Sequence, residues 1–284
     1  LINMETLYVF KEFLNKTLDT NNVESRSDHI YLNPEKRENY LFNSQINGIE
    51  EADFILLIGS NPRYEATILN ARIRKAYLQN KTKIISLNDV GNLTYPYDFL
   101  DGDIENIKKI TENNHEVSDL IKNAKKPLII FGQSILKNKS AKYVFESIKS
   151  FLKDNNKISN EWNSLNTISN NASTVGSLDL GLYKTEDGSN KILKDLEDNK
   201  FEIVYLLGVD NLKFKKKNEF IIYQGTHGDK GAEIADIILP GAAYTEQNGY
   251  FTNLEGKLQK AYKASYPPEA VSYTHLTLPT KRIV

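Results

Sequence analysis

The strongest constraint on the fold is a short run without a polar residue, followed by a turn and a helical stripe. Phe54-Ile55-Leu56-Leu57-Ile58 is wholly apolar, and Gly59-Ser60-Asn61-Pro62 closes it. Leu69, Ile73, Ala76 and Tyr77 then recur at i, i+4, i+7 and i+8, the spacing of one helix face. Lys83 to Leu87 is a second short run, rich in Ile. Strand, turn, helix, strand in this order predicts a βαβ unit with a right-handed crossover. Strands apolar on both sides suit a parallel sheet covered by helices on each face. The fold class read from this unit is α/β.

The same grammar runs along the chain. Leu7, Phe10 and Leu14 give Met4 to Leu18 the stripe of an amphipathic helix, and the polar segment Asp19 to Asn39 reads as loop. Val117 to Ala124 reads as helix, Leu128 to Phe131 as a strand ended by Gly132, and Val144, Ile148, Phe151 and Leu152 as a further helix face. Lys153 to Asn171 turns polar and Asn-rich and marks a boundary; within it Trp162, Leu165 and Ile168 are expected on one face of a short helix. Glu202 to Leu207 then restarts the pattern, followed by Gly208-Val209-Asp210-Asn211 and two short strands, Glu219 to Tyr223 and Ile237 to Leu239. The expected organisation is an N-terminal helix and loop leading into the sheet (1–47), a first α/β half (48–156) and a second (157–270). No short-period repeat is present.

Composition narrows the function classes. At 284 residues the chain is long enough for about two domains and needs no disulfide or metal to hold a core. Its 36 basic and 37 acidic side chains leave a net charge of −1, which argues against a broad nucleic-acid or membrane-surface footprint. Cysteine is absent, which excludes disulfides, thiolate zinc sites, Cys-ligated Fe–S clusters and a Cys nucleophile within these residues. The apolar runs fall far short of the ~20 residues a membrane span requires. The opening Leu1-Ile2-Asn3-Met4-Glu5 lacks the basic and apolar regions of a signal peptide, and a start at Leu1 reads as a truncated reading frame.

Few residues carry chemistry. In Gly59-Ser60-Asn61-Pro62 the glycine permits a sharp exit from the strand, Asn61 suits a helix cap and Pro62 the first helical position. Backbone N–H groups at such a helix start attract anions, and strand carboxyl ends are where α/β sheets bind ligands. A plain helix cap without ligand explains the motif as well, and Gly208 with Asp210 stands in the same position. His29, His115, His227 and His275 show no metal-ligand spacing. His227, in Thr226-His227-Gly228-Asp229, is the only one in a shaped loop, where bonding to backbone is the simpler role. No Gly-x-Ser-x-Gly, Walker loop or His-Glu-x-x-His occurs. Arg72, Arg74 and Lys75 form a basic stretch on a helix, better explained by a solvated face or an intersubunit contact than by nucleic acid. Glu246 and Glu255 offer an acid pair, but capping of the bends at Gly241, Gly249 and Gly256 explains them better. No catalytic residue and no metal ligand stands out. Gly59, Asn61, Gly208, Asp210 and His227 are the candidates for a vestigial pocket.

Several motifs in order carry a resemblance. They are Glu51-Ala52-Asp53 through Gly59-Ser60-Asn61-Pro62-Arg63-Tyr64-Glu65-Ala66 with Leu69-Asn70-Ala71-Arg72-Ile73-Arg74-Lys75, then Leu93-Thr94-Tyr95-Pro96-Tyr97. Ile222-Tyr223-Gln224-Gly225-Thr226-His227-Gly228-Asp229-Lys230-Gly231-Ala232 and Ala235 to Glu246, continuing to Asn253-Leu254-Glu255-Gly256, complete them. From about Met4 to Ala270 the chain resembles the large iron–sulfur subunit of respiratory complex I, NADH:quinone oxidoreductase.

The resemblance implies two Rossmann-like parallel-sheet halves of the molybdopterin oxidoreductase type, with helices on both faces. It implies a structural domain of an assembly that passes electrons from NADH through FMN and Fe–S clusters to a quinone. No cofactor is expected in these residues; the 2Fe-2S and 4Fe-4S clusters would lie in a Cys-rich part upstream. The implied partners are other subunits of the peripheral arm, with no nucleic acid and no direct membrane insertion. The implied location is peripheral on an energy-transducing membrane: its cytoplasmic face in bacteria, or the matrix face of the mitochondrial inner membrane. Lys257 stands where many relatives have Arg, so bidentate anion contacts would be weaker there. The alternatives are a fragment of a genuine molybdopterin-dependent oxidoreductase such as formate dehydrogenase, and a nucleotide-binding module using both Gly turns. After Ala270 the resemblance stops, and Val271 to Val284 reads as translated sequencing-adapter sequence. Leu276, Leu278 and Ile283 are therefore expected not to pack, and His275 to have no role.

Overall fold

The computed structural model describes residues 2–26, 30–186, 189–209, 212, 214–227 and 230–267. The expectations for His29, Asp210 and the 271–284 tail with His275 concern residues outside these. Ile30–Asn170 forms one compact unit, and a second joins the N-terminal segment to residues from Asn171 onward.

The chain opens with helix α1 (Met4–Lys16), started by Asn3, whose side chain accepts the Thr6 N–H at 2.8 Å. Its Leu7, Phe10 and Leu14 are buried, as their spacing predicts.

The first unit is built on strand β1 (Phe54–Ile58), buried along its whole length. A short helical turn, α2 (Pro62–Glu65), and helix α3 (Thr67–Asn80) carry the chain to strand β2 (Lys83–Leu87), and strand β3 (Asp98–Leu100) follows. Helices α4 (Ile104–Thr111) and α5 (Glu116–Asn123) precede strand β4 (Pro127–Phe131); the turn α6 (Gln133–Leu136) and helix α7 (Ala141–Asp154) lead to strand β5 (Leu165–Thr167). The strand order is β3-β2-β1-β4-β5, with all four pairings parallel. The chain thus works outward from β1 through β2 to β3 and resumes on the other side of β1 with β4. The order reverses between β1 and β4, the crevice where open α/β sheets take their ligands.

Local chemistry fixes this register. The Asp53 carboxylate accepts the N–H groups of Lys125 and Lys126 at 2.6 and 2.9 Å, which sets Phe54 opposite Pro127. Phe54, Leu56, Ile58, Ile85, Leu87, Ile129 and Phe131 cluster with the apolar faces of α4, α5 and α7. The alternate residues Ile55, Leu57, Ile84, Leu128 and Ile130 are equally buried outside that cluster, as are Leu69, Ile73 and Ala76 of α3. Both faces are covered, as a parallel sheet requires.

One expectation for this region fails. Leu165–Thr167 is a strand, not part of a helix on the Trp162, Leu165 and Ile168 face. Asn163 accepts the Leu165 N–H through its side chain at 3.0 Å, and the Trp162 indole donates to the Pro127 carbonyl at 2.8 Å. Both bonds favour an extended chain laid along β4, where Ile129 N–H donates to Ser164 O at 2.8 Å.

A buried cation secures the segment before the sheet. Lys149 of α7 donates to the Asn39 side-chain oxygen and pairs with Glu38 at 2.7 Å, with Lys153 at 3.6 Å on the same carboxylate. Burial pushes the Glu38 carboxyl up, but the bonds and charges of Lys149 and Lys153 outweigh this and hold it below its ordinary value. A depressed carboxylate stabilises the fold above its unfolded-state pKa, and the contribution is lost as pH falls through the lower folded-state pKa. We therefore expect Lys149→Met to cost about 2 kcal/mol at neutral pH and clearly less in acid. Urea midpoints at pH 7 and pH 3 check this; an equal loss at both would refute it.

In the second unit, α1 is joined by helix α8 (Thr174–Asp179), the short antiparallel pair β6 (Thr185–Glu186) and β7 (Ser189–Asn190), and helix α9 (Lys191–Glu197). Strands β8 (Ile203–Leu207) and β9 (Phe220–Gly225), the turn α10 (Lys230–Ile234) and strand β10 (Ile237–Pro240) form a parallel sheet in the order β10-β9-β8. The hairpin β11 (Gly249–Thr252) and β12 (Leu258–Ala261) follows. Leu206, Ile221 and Tyr223 pack on one side of the sheet, while Phe10 and Leu14 of α1 cover Leu207 and Ala242. The three strands read from sequence are all present. Both units are α/β.

Candidate functional site

The crevice between β1 and β4 is filled by the chain's own atoms. Gly59 leaves β1 at φ +58°, and a Cβ there would lie 2.5 Å from Ile135 Cβ, 2.6 Å from its backbone N and 2.8 Å from Ser134 Oγ. The Ser134 hydroxyl donates to the Gly59 carbonyl at 2.6 Å, and Gly132 N–H donates to Ile58 O at 3.0 Å. The missing side chain makes room for the loop after β4, which packs directly against the turn at Gly59.

Asn61 does not cap α2 as its position suggests. Its amide turns away and donates to the Val90 carbonyl at 2.9 Å. Pro62 does take the first helical position. Two backbone donors at this strand end are answered by Glu65: one carboxylate oxygen accepts Asn61 N–H at 3.1 Å, and the other accepts Gln133 N–H at 3.4 Å, while the buried Ser60 hydroxyl and Asn61 Oδ1 have no partner among the described residues. An internal carboxylate thus stands where strand ends of this kind hold a ligand's anion. It ties the turn after β1 to the turn after β4, across the strand-order reversal. We expect Glu65→Gln, which keeps the size but lacks the second acceptor oxygen, to cost about 1–2 kcal/mol. Denaturant midpoints check this, and a change within a few tenths would leave Glu65 without this role.

Beside this closure lies a cavity of about 210 Å³ at the carboxyl ends of β1 and β2. Ile58, Leu87, Ile104, Ile107, Ile135 and Val144 form its apolar walls, and Asn88, Ser134, Asn138 and Ser140 supply amides and hydroxyls. None of the lining side chains is an Asp, Glu, His, Lys or Arg, so the cavity lining offers no acid, base or counter-charge, and its Ser134 and Ser140 hydroxyls have no base in the lining to activate them. Sequence reasoning missed Asn88. Its signal is positional: it ends the second strand, adopts φ +88°, and accepts the Gly102 N–H through its side chain at 2.7 Å.

The Leu93–Tyr97 motif is structural. Leu93 is buried, Tyr95 donates to the Asn70 side chain at 2.9 Å, and Asn70 donates to the Leu93 carbonyl at 3.0 Å. Burial raises the Tyr95 hydroxyl far above its ordinary value. Tyr97 donates to Asp89 at 2.7 Å; that bond, with the Gly91 N–H, holds Asp89 below its ordinary range.

In the second unit Gly208 mirrors Gly59 in conformation, at φ +61°, with its N–H on Gln224 O at 2.7 Å. His227 is exposed; its Nδ1 lies 2.7 Å from Thr226 Oγ1 and its carbonyl accepts the Tyr223 hydroxyl at 2.9 Å. His115 caps α5 by accepting the Val117 N–H at 3.1 Å. Glu246 accepts the Ala243 N–H at 2.9 Å and Glu255 pairs with Lys257 at 2.6 Å, which suits bends more than acid–base work. Among the described residues no group of three His, Cys, Asp or Glu side chains could hold a metal ion.

The sequence model for molybdopterin oxidoreductases matches residues 1–270, and the chain belongs to that family. Among curated proteins it is similar to the NADH-ubiquinone oxidoreductase 75 kDa subunit of Reclinomonas americana, 39% identical over 281 residues, covering 94% of this chain and 40% of that protein. It is likewise 39% identical to the mitochondrial 78 kDa subunit of the NADH-ubiquinone oxidoreductase of Candida albicans, over 94% of this chain and 36% of the relative. The mitochondrial NADH dehydrogenase [ubiquinone] iron-sulfur protein 1 of Solanum tuberosum is 36% identical, over 91% of this chain and 34% of its own length. The chain thus spans between about a third and two fifths of the length of these relatives.

Family membership raises the question of the molybdenum cofactor. The first unit does not fit its anionic nucleotide: Glu65 takes the N–H donors, Ile135 fills the space beside Gly59, and no cation lines the cavity.

Proposed function

We propose that the chain is part of the large iron–sulfur subunit of an NADH:quinone oxidoreductase and serves there as a structural domain. The observation that carries this reading is the Glu65 carboxylate on the Asn61 and Gln133 amides, which closes the crevice a cofactor would use. The same closure, with similarity to complex I subunits, weighs against a genuine molybdopterin enzyme such as formate dehydrogenase and against a nucleotide-binding module. The assembly takes electrons from NADH through FMN and 2Fe-2S and 4Fe-4S clusters to a quinone, the clusters lying on other residues of the parent subunit. Its partners are the other peripheral-arm subunits. Among the described residues no helix is long and apolar enough to cross a membrane. This accords with peripheral attachment at the cytoplasmic face in bacteria or the matrix face in mitochondria. Gly59 and Asn61 in the first unit, and Gly208 and His227 in the second, are each without a catalytic role on this reading.

The test is to tag the subunit that carries this chain in its native organism and isolate what it assembles with. NADH:quinone activity and reducible Fe–S signals should co-purify with it. Recovery as a free protein without either would overturn the reading.

A further inference from the structure

The outer side of α3 is unusual for a helix lying on a sheet. Leu69, Asn70, Ile73 and Ala76 are buried, while Ile68 and Leu78 are 68% and 56% exposed. Tyr64, on α2, is 81% exposed. Ile68, Ala71, Lys75 and Leu78 follow one another at three- and four-residue steps and so share a stripe, with Arg74 beside it. Single exposed apolar residues need no explanation, but several aligned on one rigid helix mark an interaction surface.

The charge around the stripe is one-sided. From 63 to 81 there are five basic residues and one acidic residue, in a chain whose net charge is −1. The acidic one is Glu65, already engaged with backbone amides. Glu50 binds Arg72 and Lys75 along one flank. Arg63 donates to the Asn92 carbonyl at 2.6 Å, and among the described residues no carboxylate pairs with Arg63 or Arg74.

We propose that this stripe is a docking surface for a helix of another subunit whose apolar face is bordered by carboxylates. The proposal rests on the assembly reading above. Tyr64, Ile68 and Leu78 supply the apolar contact, and Arg63 and Arg74 at the rim select acidic neighbours and reject basic ones. Arginine is also the cation most favoured at protein interfaces.

The test places a photo-crosslinking benzoylphenylalanine at Ile68 of the full-length subunit and irradiates the assembled enzyme. The expected product joins position 68 to a helix of a different subunit with Asp or Glu beside the linked residue. Crosslinks confined to the same polypeptide or to a second copy would overturn the proposal. In parallel, Ile68→Asp and Arg74→Glu are each expected to lower the share of the subunit recovered in the assembly by about tenfold. Limited proteolysis of the unassembled subunit should be unchanged, because both side chains face solvent. Wild-type recovery of both variants would overturn the docking surface while leaving the assembly reading intact. Absence of the wild-type subunit from the assembly would defeat both. Binding of the subunit to vesicles of phosphatidylcholine with phosphatidylglycerol, lost in Ile68→Asp, would assign the stripe to a lipid surface and overturn the proposal.

Discussion

Gly59→Ala should lower the unfolding free energy by about 3 kcal/mol, against about 1 kcal/mol for Gly91→Ala. Both glycines have positive φ, +58° and +77°, so an added methyl meets the same kind of backbone strain at each. Only at Gly59 does it also meet atoms, among them the Ile135 backbone N at 2.6 Å, whereas nothing lies within 4 Å of a Cβ at Gly91. The difference between the two variants therefore isolates the close approach of the turns after β1 and β4. Urea unfolding of both variants measures it. Equal losses would mean that the crevice is not closed by packing. If the domain is a scaffold, assembled enzyme carrying Gly59→Ala should be less abundant but retain its turnover per assembled unit.

Phe131→Ala should cost about 3–5 kcal/mol, the range for emptying a large aromatic site in a core. Phe131 is the last residue of β4, fully buried, with its ring centroid 4.9 Å from that of Phe145 on α7. Its loss opens space beneath Gly132 and removes an anchor that holds α7 to the sheet. Phe99, 55% exposed on the edge strand β3, is the control, and Phe99→Ala should stay within about 1 kcal/mol. Similar effects at the two positions would contradict the assignment of the core to the β1–β4 face.

The parts of this fold that can be read from sequence are those held by local periodicity. β1, α3 and β2 each carry their apolar pattern within a few residues, and the sharp exit at Gly59 follows from the glycine itself. The α/β class and the short parallel strands are legible for the same reason. What escapes depends on contacts distant in sequence. The role of Glu65 is defined by the Gln133 amide, 68 residues away, and nothing near Glu65 announces it. Leu165 and Ile168 have a helical spacing, yet pairing with β4 and the Asn163 side chain make that stretch a strand. Asn61 has the composition of a cap, but the Val90 carbonyl claims its amide. The cavity is hidden because its polar residues come from two separate segments, Asn88 and 134–140, neither with a motif.

A scaffold whose ligand crevice is closed by its own Glu65 should hold no molybdenum cofactor. The measurement that bears on this most directly is the molybdenum and pterin content of the purified, active assembly. Molybdenum would be determined by mass spectrometry of the metals, and pterin by fluorescence after oxidative release. The expected result is full NADH:quinone activity with neither above background. Molybdenum and pterin in stoichiometric amounts, released when the subunit is denatured, would contradict it.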